Sequence, residues 1–156
     1  MVSCGSSKNV SYKKTKNNSR KVNKSTKNPT IADKVVWTAV SYKGTRYKYG
    51  GTTKRGMDCS GLIHTSFKQR DVIIPRTSRE MYKKGTVISL KKVRRGDLLF
   101  FKTAGKLGRV NHVGLVTSTN GGNIKFIHST SSRGVIVTSL FEKYWKRAFL
   151  KAKRIL

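Results

Sequence analysis

Three side chains of this sequence, those of Cys59, His112 and His128, could together perform nucleophilic catalysis. A cysteine attacks a carbonyl carbon as its thiolate, so it needs a base that removes the thiol proton. One histidine can be that base, and the other can hold its ring in the tautomer that accepts the proton. These residue types therefore indicate a cysteine hydrolase with a nucleophile, a general base and an orienting residue. Taken alone, Cys59 would more simply be a small buried side chain beside a turn.

The same three side chains are also possible ligands for zinc. The sequence holds neither a Cys-x-x-Cys pair nor two histidines spaced as they are in common zinc sites. We therefore favour catalysis over metal binding, and we expect neither a metal nor another cofactor. The remaining histidine, His64, lies five residues after Cys59, about 140° further round a helix. We expect it to be a surface residue or a packing partner.

The residues around Cys59 predict that a loop delivers it to the first turn of a helix. Residues 50–57 are rich in glycine and threonine, and an apolar segment after Cys59 continues to about Gln69. Unpaired N–H groups and the helix dipole stabilise a thiolate at this position, and Asp58 and Ser60 are good capping residues. We therefore expect the pKa of Cys59 to lie below the ~8.5 of an unperturbed thiol, and we expect this lowering to depend on His112.

The two histidines lie in segments that predict neighbouring strands. His112 is part of the apolar run 110–117, and His128 ends the run 124–128. Between them, Asn120-Gly121-Gly122 is typical of a hairpin turn. Residue 112 should then lie opposite residue 128 or one pair away, where two side chains on the same face can meet.

The remaining pattern predicts helices followed by a run of strands. A helix capped by Thr30 or Asp33 should reach Val40, and Thr77 and Ser78 should cap a second short helix after the Cys59 helix. After Gly85, residues 87–90 form a short apolar run, and the runs at residues 98–101, 134–139 and 147–156 predict further strands. This order predicts an α+β fold, with helices packed on a central antiparallel sheet.

Composition indicates a single domain with an anionic partner. The chain has 156 residues and a formal net charge of +29, so its partner or its surroundings should be negatively charged. It has no apolar run of about 18 residues, the length that a transmembrane helix needs. Charge alone would also suit a nucleic-acid binder. We expect no nucleic-acid partner, because no recognition motif or aromatic-studded basic strand is present.

Residues 1–29 differ from the rest of the chain. They carry eight lysines and arginines and no acidic residue, and they contain too few apolar residues to form a core. We expect a disordered tail, acting as an electrostatic tether or as a plain linker, before an ordered domain at residues 30–156. The start of the tail resembles the cleaved end of a bacterial lipoprotein signal, which makes Cys4 a possible site of lipidation.

Several motifs together resemble the NlpC family of bacterial cell-wall cysteine peptidases. The resemblance covers about residues 30–156 and implies a papain-like fold with the nucleophile at a helix N-terminus. The motifs that carry it are Tyr47-Lys48-Tyr49-Gly50-Gly51, Asp58-Cys59-Ser60-Gly61, Pro75-Arg76-Thr77-Ser78, Arg95-Gly96-Asp97-Leu98-Leu99-Phe100-Phe101, Asn111-His112-Val113-Gly114 and Phe126-Ile127-His128.

The resemblance also implies roles for individual residues. It implies that Cys59 is the nucleophile, His112 the general base and His128 the third member of a triad that hydrolyses amide bonds in peptidoglycan stem peptides. Tyr47 matches the family tyrosine whose hydroxyl faces the site, which suggests a donor to the oxyanion. Asp58, Ser60 and Arg76 match positions that contact the substrate or support the site.

The segment from Gly134 to Lys146 resembles lipoprotein murein endopeptidases of the same family. This likeness implies a protein in the cell envelope, facing the periplasm and tethered to the outer membrane through a lipid on Cys4. We also expect a monomer. A protein of the same fold could instead bind murein with an inactive site. The intact set of Cys59, His112 and His128 argues against that alternative.

Overall fold

The structure, a computed structural model, describes residues 28–103 and 109–156. Cys4 and residues 1–27 of the predicted tail lie outside the described residues, so lipidation and disorder there stay predictions. Within the described ranges, no helix is long and apolar enough to cross a membrane.

Helix α1 spans Ile31–Val40 and begins where the sequence predicted. The Thr30 side chain accepts the N–H of Asp33, while the Asp33 carboxylate accepts the N–H of Thr30. This reciprocal pair satisfies two N–H groups that a helix start otherwise leaves unpaired. The helix buries Val35, Val36 and Ala39 against the core.

The predicted nucleophile helix also forms. Helix α2 spans Cys59–Lys68, and the short helix α3 spans Ser78–Tyr82, each beginning at the predicted residue. A two-stranded hairpin that the sequence pattern did not reveal precedes α2, with β1 at Thr52–Thr53 and β2 at Gly56–Met57.

A six-stranded antiparallel sheet forms the centre of the molecule, which confirms the predicted α+β class. Its strands are Thr86–Ile88 for β3, Leu98–Phe101 for β4, His112–Ser118 for β5, Lys125–Thr130 for β6, Gly134–Ser139 for β7 and Phe149–Arg154 for β8. They lie side by side in the order β3-β8-β4-β5-β6-β7.

The two faces of the sheet pack against different helices. Side chains alternate between the faces of a strand, so Phe100 and Val113 join the core beneath α1 and α2, whereas Phe101 and Phe126 join a second cluster on the other face. A helix that the sequence did not predict, α4 at Lys143–Ala148, covers this second cluster with Trp145.

The prediction of a final strand at residues 147–156 was therefore wrong at the start of the strand. Helix α4 continues to Ala148, and β8 begins at Phe149. Helix α4 has six residues, of which only Trp145 and Ala148 are buried. Two buried positions cannot establish a helical period in a sequence.

The hairpin between the two histidine strands forms at the predicted turn, where Gly121 and Gly122 adopt positive φ angles of 60° and 78°. Leu115 pairs with Ile127. Continuing this register places Gly114 beside His128, so His112 is the diagonal neighbour of His128 on the same face.

Candidate active site

One open cleft of about 1230 Å³ gathers almost all the candidate residues. Cys59 and His112 line it, together with the four residues predicted to support the site, Tyr47, Asp58, Ser60 and Arg76. The remaining candidate, His128, has no exposed surface and lies behind His112.

Cys59 is the first residue of α2, and Asp58 is its N-cap. The Asp58 carboxylate accepts the N–H of Gly61 at 2.6 Å, which anchors the first turn. The backbone N–H of Val113, the residue after His112, lies near enough to the Cys59 sulfur to lower the pKa of the thiol. Cys59 and His112 both line the cleft near the start of β5.

Burial raises the pKa of the Cys59 thiol to about 11. The N–H groups of Val113 and Ser60 lower it, and the nearby Asp58 carboxylate raises it further, but desolvation is the largest effect. The prediction of a lowered cysteine pKa was therefore wrong for the free protein. A helix N-terminus favours the thiolate, but at this site it does not offset the loss of water around the sulfur.

The histidines form a hydrogen-bonded chain. His112 Nε2 lies 2.8 Å from His128 Nδ1, and His128 Nε2 lies 2.8 Å from Thr138 Oγ1 on β7. Burial lowers the pKa of His112 to about 4. Burial, followed by the charges of His112 and Arg133, also lowers the pKa of His128. Both rings are therefore neutral at neutral pH.

Aromatic side chains enclose the two rings. Trp145 stacks on His112 with ring centroids 5.1 Å apart, and it meets His128 edge-on at 4.4 Å. Phe126 contacts His128 on the same side, at 4.5 Å. These contacts fix the planes of both rings and exclude water from the bond between them.

The sequence motifs assigned no role to Thr138 or Trp145, although both lie in the segment 134–146 that carried one of the resemblances. The alternation of residues 134–139 places Thr138 on a strand, but only the register across the sheet shows which residue it contacts. His128 pairs with Ile136, so Thr138 is its diagonal neighbour. That resemblance did not indicate that Trp145 would contact the two histidines.

Asp58, Ser60 and Arg76 form a hydrogen-bonded network around the start of α2, next to Cys59. Arg76 donates to both oxygens of the Asp58 carboxylate at 3.0 and 2.8 Å, and to Ser60 Oγ at 2.9 Å. The N–H of Gly50 also donates to Asp58. Burial alone would raise the pKa of Asp58, but the Arg76 guanidinium and the donated N–H groups hold it below its usual range.

This network ties three separate segments together. It joins the loop at Gly50, the start of α2 and the segment that carries Arg76. Asp58 and Ser60 are more than nine-tenths buried, and their polar atoms already have partners within the protein. Gly61 lets the first turn of α2 lie directly against the loop at Gly51. A Cβ at residue 61 would lie 2.1 Å from the carbonyl oxygen of Gly51.

Tyr47 lies on the wall of the cleft and is about one-third exposed. Burial raises its pKa, and the nearby Cys59 and Asp58 raise it further, so its hydroxyl keeps its proton and can donate a hydrogen bond. His64 lies away from this chemistry. Its Nδ1 is 3.0 Å from the carbonyl oxygen of Ile74, which makes it the packing partner that was predicted.

Comparison with protein families matches residues 44–154 to the NlpC/P60 family. The chain is 37% identical over 131 residues to murein DD-endopeptidase MepS/murein LD-carboxypeptidase of Escherichia coli K12, a match that covers 83% of this chain and 66% of the relative. It is 39% identical over 129 residues to gamma-DL-glutamyl hydrolase of Bacillus subtilis 168, covering 81% and 30% of the two chains.

A solved structure has the same fold. The crystal structure of an NlpC/P60 family protein from Bacillus cereus ATCC 10987 matches with a TM-score of 0.73 and 31% identity, covering 82% of this chain and 41% of that one. The chain thus spans less than half of this protein and about two-thirds or less of the two relatives.

Proposed function

Because the chain belongs to the NlpC/P60 family, we propose that it is a cysteine endopeptidase that hydrolyses amide bonds in the peptide stems of peptidoglycan. The family is the one that the sequence motifs predicted. The observation that carries the proposal is the cleft that holds Cys59 and His112, with His112 hydrogen-bonded to the buried His128. The names of the Escherichia coli and Bacillus subtilis relatives support the substrate class.

The hydrogen bonds indicate a different role for each of the two histidines. His112 Nε2 is engaged by His128, which leaves His112 Nδ1 to exchange a proton with Cys59. Cys59 has a raised pKa and His112 a lowered one, so the resting pair is neutral thiol and neutral imidazole. We infer that the proton moves as the sulfur attacks, and not before the substrate binds.

The attack converts the amide carbonyl into an oxyanion beside the start of α2. The hydroxyl of Tyr47 and the backbone N–H of Cys59 are its donors, and one such donor is worth about 2.7–4 kcal/mol in a known enzyme. His112 then gives its proton to the leaving amine. Water, deprotonated by the same histidine, hydrolyses the thioester.

The charge of the cleft suits an anionic peptide. Four basic side chains line it against three acidic ones, and Arg76 and Asp58 neutralise each other, which leaves three basic side chains against two acidic ones. Peptidoglycan stems carry free carboxylates, which such a surface attracts. The basic residues are Arg76, Arg79, Lys83 and Arg133.

We further propose that residues 30–156 are the catalytic domain and that residues 1–29 tether it to an anionic envelope surface. Lipidation of Cys4, a periplasmic position at the outer membrane and a monomeric state belong to the same proposal. They rest on the sequence motifs described above.

The test is incubation of the purified protein with sacculi, followed by mass analysis of the released fragments. Wild type should release stem fragments, and their masses identify the bond that is cut. Cys59→Ala should release none, because it lacks the nucleophile. The matched control is Cys4→Ala, which removes the other cysteine and should cleave like wild type. Cleavage by Cys59→Ala at the wild-type rate would falsify the assignment.

A further inference from the structure

We propose that Thr138 is a positioning residue that sets where the protons lie on the two histidines. The proposal rests on the proposed function, since it concerns the same reaction. Its basis is the chain of two hydrogen bonds, each 2.8 Å long, that runs from His112 through His128 to Thr138.

A chain of this kind can hold its protons in two ways. In one, His112 donates from Nε2 to His128, and His128 donates from its own Nε2 to the Thr138 oxygen. His112 Nδ1 then has a free lone pair and can take the proton of Cys59. In the other, Thr138 donates to His128, His128 donates to His112, and the proton of His112 sits on Nδ1. That arrangement has no base facing the nucleophile.

The reaction itself requires the first arrangement. When His112 takes the thiol proton, both of its ring nitrogens carry hydrogen, so Nε2 must donate to His128. His128 must then carry its proton on Nε2, where Thr138 accepts it. A hydroxyl can accept this bond by rotation, whereas a hydrocarbon side chain at residue 138 would leave a buried N–H unpaired.

The hydrogen bond between His128 and Thr138 matters because both residues are buried. His128 has no exposed surface, and Thr138 is 4% exposed. The rings of Phe126 and Trp145 cover His128 and offer no acceptor in the ring plane. Among the hydrogen bonds of the described residues, Thr138 is the partner of His128 Nε2, and an unpaired polar group in such a site is costly.

The test compares Thr138→Val, which keeps the shape of the side chain, with Thr138→Ser, which keeps the hydroxyl. Thr138→Val should lower kcat by about ten- to a hundredfold, as expected for one unpaired buried polar group, while KM changes by less than about twofold. Thr138→Ser should recover most of the wild-type kcat. Joined to His128→Asn, Thr138→Val should cause little further loss, because the bond it removes is already gone.

The matched control is Thr117→Val. Thr117 is also a buried threonine of the sheet, but its hydroxyl donates to the carbonyl oxygen of Lys125. Its loss should lower thermal stability without changing kcat. If Thr138→Val keeps the wild-type kcat, or if Thr138→Ser is as slow as Thr138→Val, the proposal is wrong.

NMR of the imidazole nitrogens gives a readout that does not depend on cleavage. In wild type, both histidines should carry their proton on Nε2, and Thr138→Val should shift that population towards Nδ1. An inactive wild type with this tautomer pattern would overturn the proposed function and leave the role of Thr138 standing. A wild type that cleaves sacculi but holds the protons on Nδ1 would overturn only the role of Thr138.

Discussion

At the scale of single residues, desolvation decides the resting state of Cys59, the proposed nucleophile. Cys59 sits at a helix start that favours a thiolate, yet the lost contact with water raises its pKa to about 11. His112 is affected in the opposite direction, since burial disfavours its cation. A neutral thiol reacts slowly with oxidants and alkylating agents, because the thiolate is the reactive form.

We predict a steep pH dependence for alkylation of Cys59 by iodoacetamide. The thiolate fraction of a group with a raised pKa stays small at neutral pH, so the rate should climb steadily towards pH 11. The measurement uses a Cys4→Ala background, so that only one thiol reacts. The control is the same protein in denaturant, whose profile should level off about two units lower, near the ~8.5 of a free thiol. A native rate that reaches its plateau below pH 7 would show a preformed thiolate–imidazolium pair and contradict this account.

At the scale of elements, the start of α2 depends on one ion pair. Arg76 holds the Asp58 carboxylate at 2.8 Å, and the side chain of Asp58 is only 10% exposed. We predict that Arg76→Gln lowers the free energy of unfolding by about 1–3 kcal/mol, because it leaves a nearly buried carboxylate without its counter-charge. Cleavage should fall as well, since the same network places Cys59.

Urea titration at several pH values tests this prediction and also the direction in which stability changes with pH. The lowered pKa of Asp58 contributes stability above its unfolded value of about 3.9, and that stability is lost as the pH falls through the lower folded value. Without Arg76 the pKa rises, so acid unfolding should begin at higher pH. The control is Arg95→Gln, which breaks an ion pair with an Asp33 side chain that is 31% exposed and should cost less. Equal losses from both variants would mean that burial of the carboxylate is not the cause.

Sequence patterns predicted the elements whose signals are local. The cap at Asp58, the apolar segment behind Cys59 and the hairpin turn at Gly121 each depend on a few adjacent residues, and all three are present in the structure. Helix α4 was missed because six residues are too few to show a period. The contact between His128 and Thr138 depends on register across the sheet, and the pKa of Cys59 depends on burial by distant residues. Neither can be read from spacing along the chain.

At the scale of the whole molecule, half of the few acidic residues form ion pairs within the fold. The chain has six acidic residues against 35 lysines and arginines, and Asp33, Asp58 and Asp97 each pair with an arginine. These pairs join separate parts of the fold, as Arg154 does when it reaches from β8 to Asp97 beside β4. Most of the positive charge is therefore not balanced by nearby carboxylates. This excess charge favours binding to an anionic surface and opposes association between copies of the chain.

The last prediction concerns the tail at residues 1–29. Each of its eight basic residues could contribute about 1 kcal/mol near an anionic surface at low salt, so its removal should weaken binding to anionic vesicles or sacculi by at least about tenfold. The loss should shrink at high salt, where the Debye length falls to about 3 Å at 1 M.

Binding is measured by sedimentation at several salt concentrations. A full-length variant with the eight basic residues changed to glutamine is the control, and it should bind as weakly as the truncated chain if charge is the cause. Melting temperature and cleavage of a small soluble stem peptide should stay near wild type, because Thr30 and Asp33 still cap α1 and the cleft is untouched. A large fall in melting temperature on truncation would mean instead that the tail packs against the domain. The loss of binding could then come from a destabilised fold and not from the missing contacts between the tail and the anionic surface.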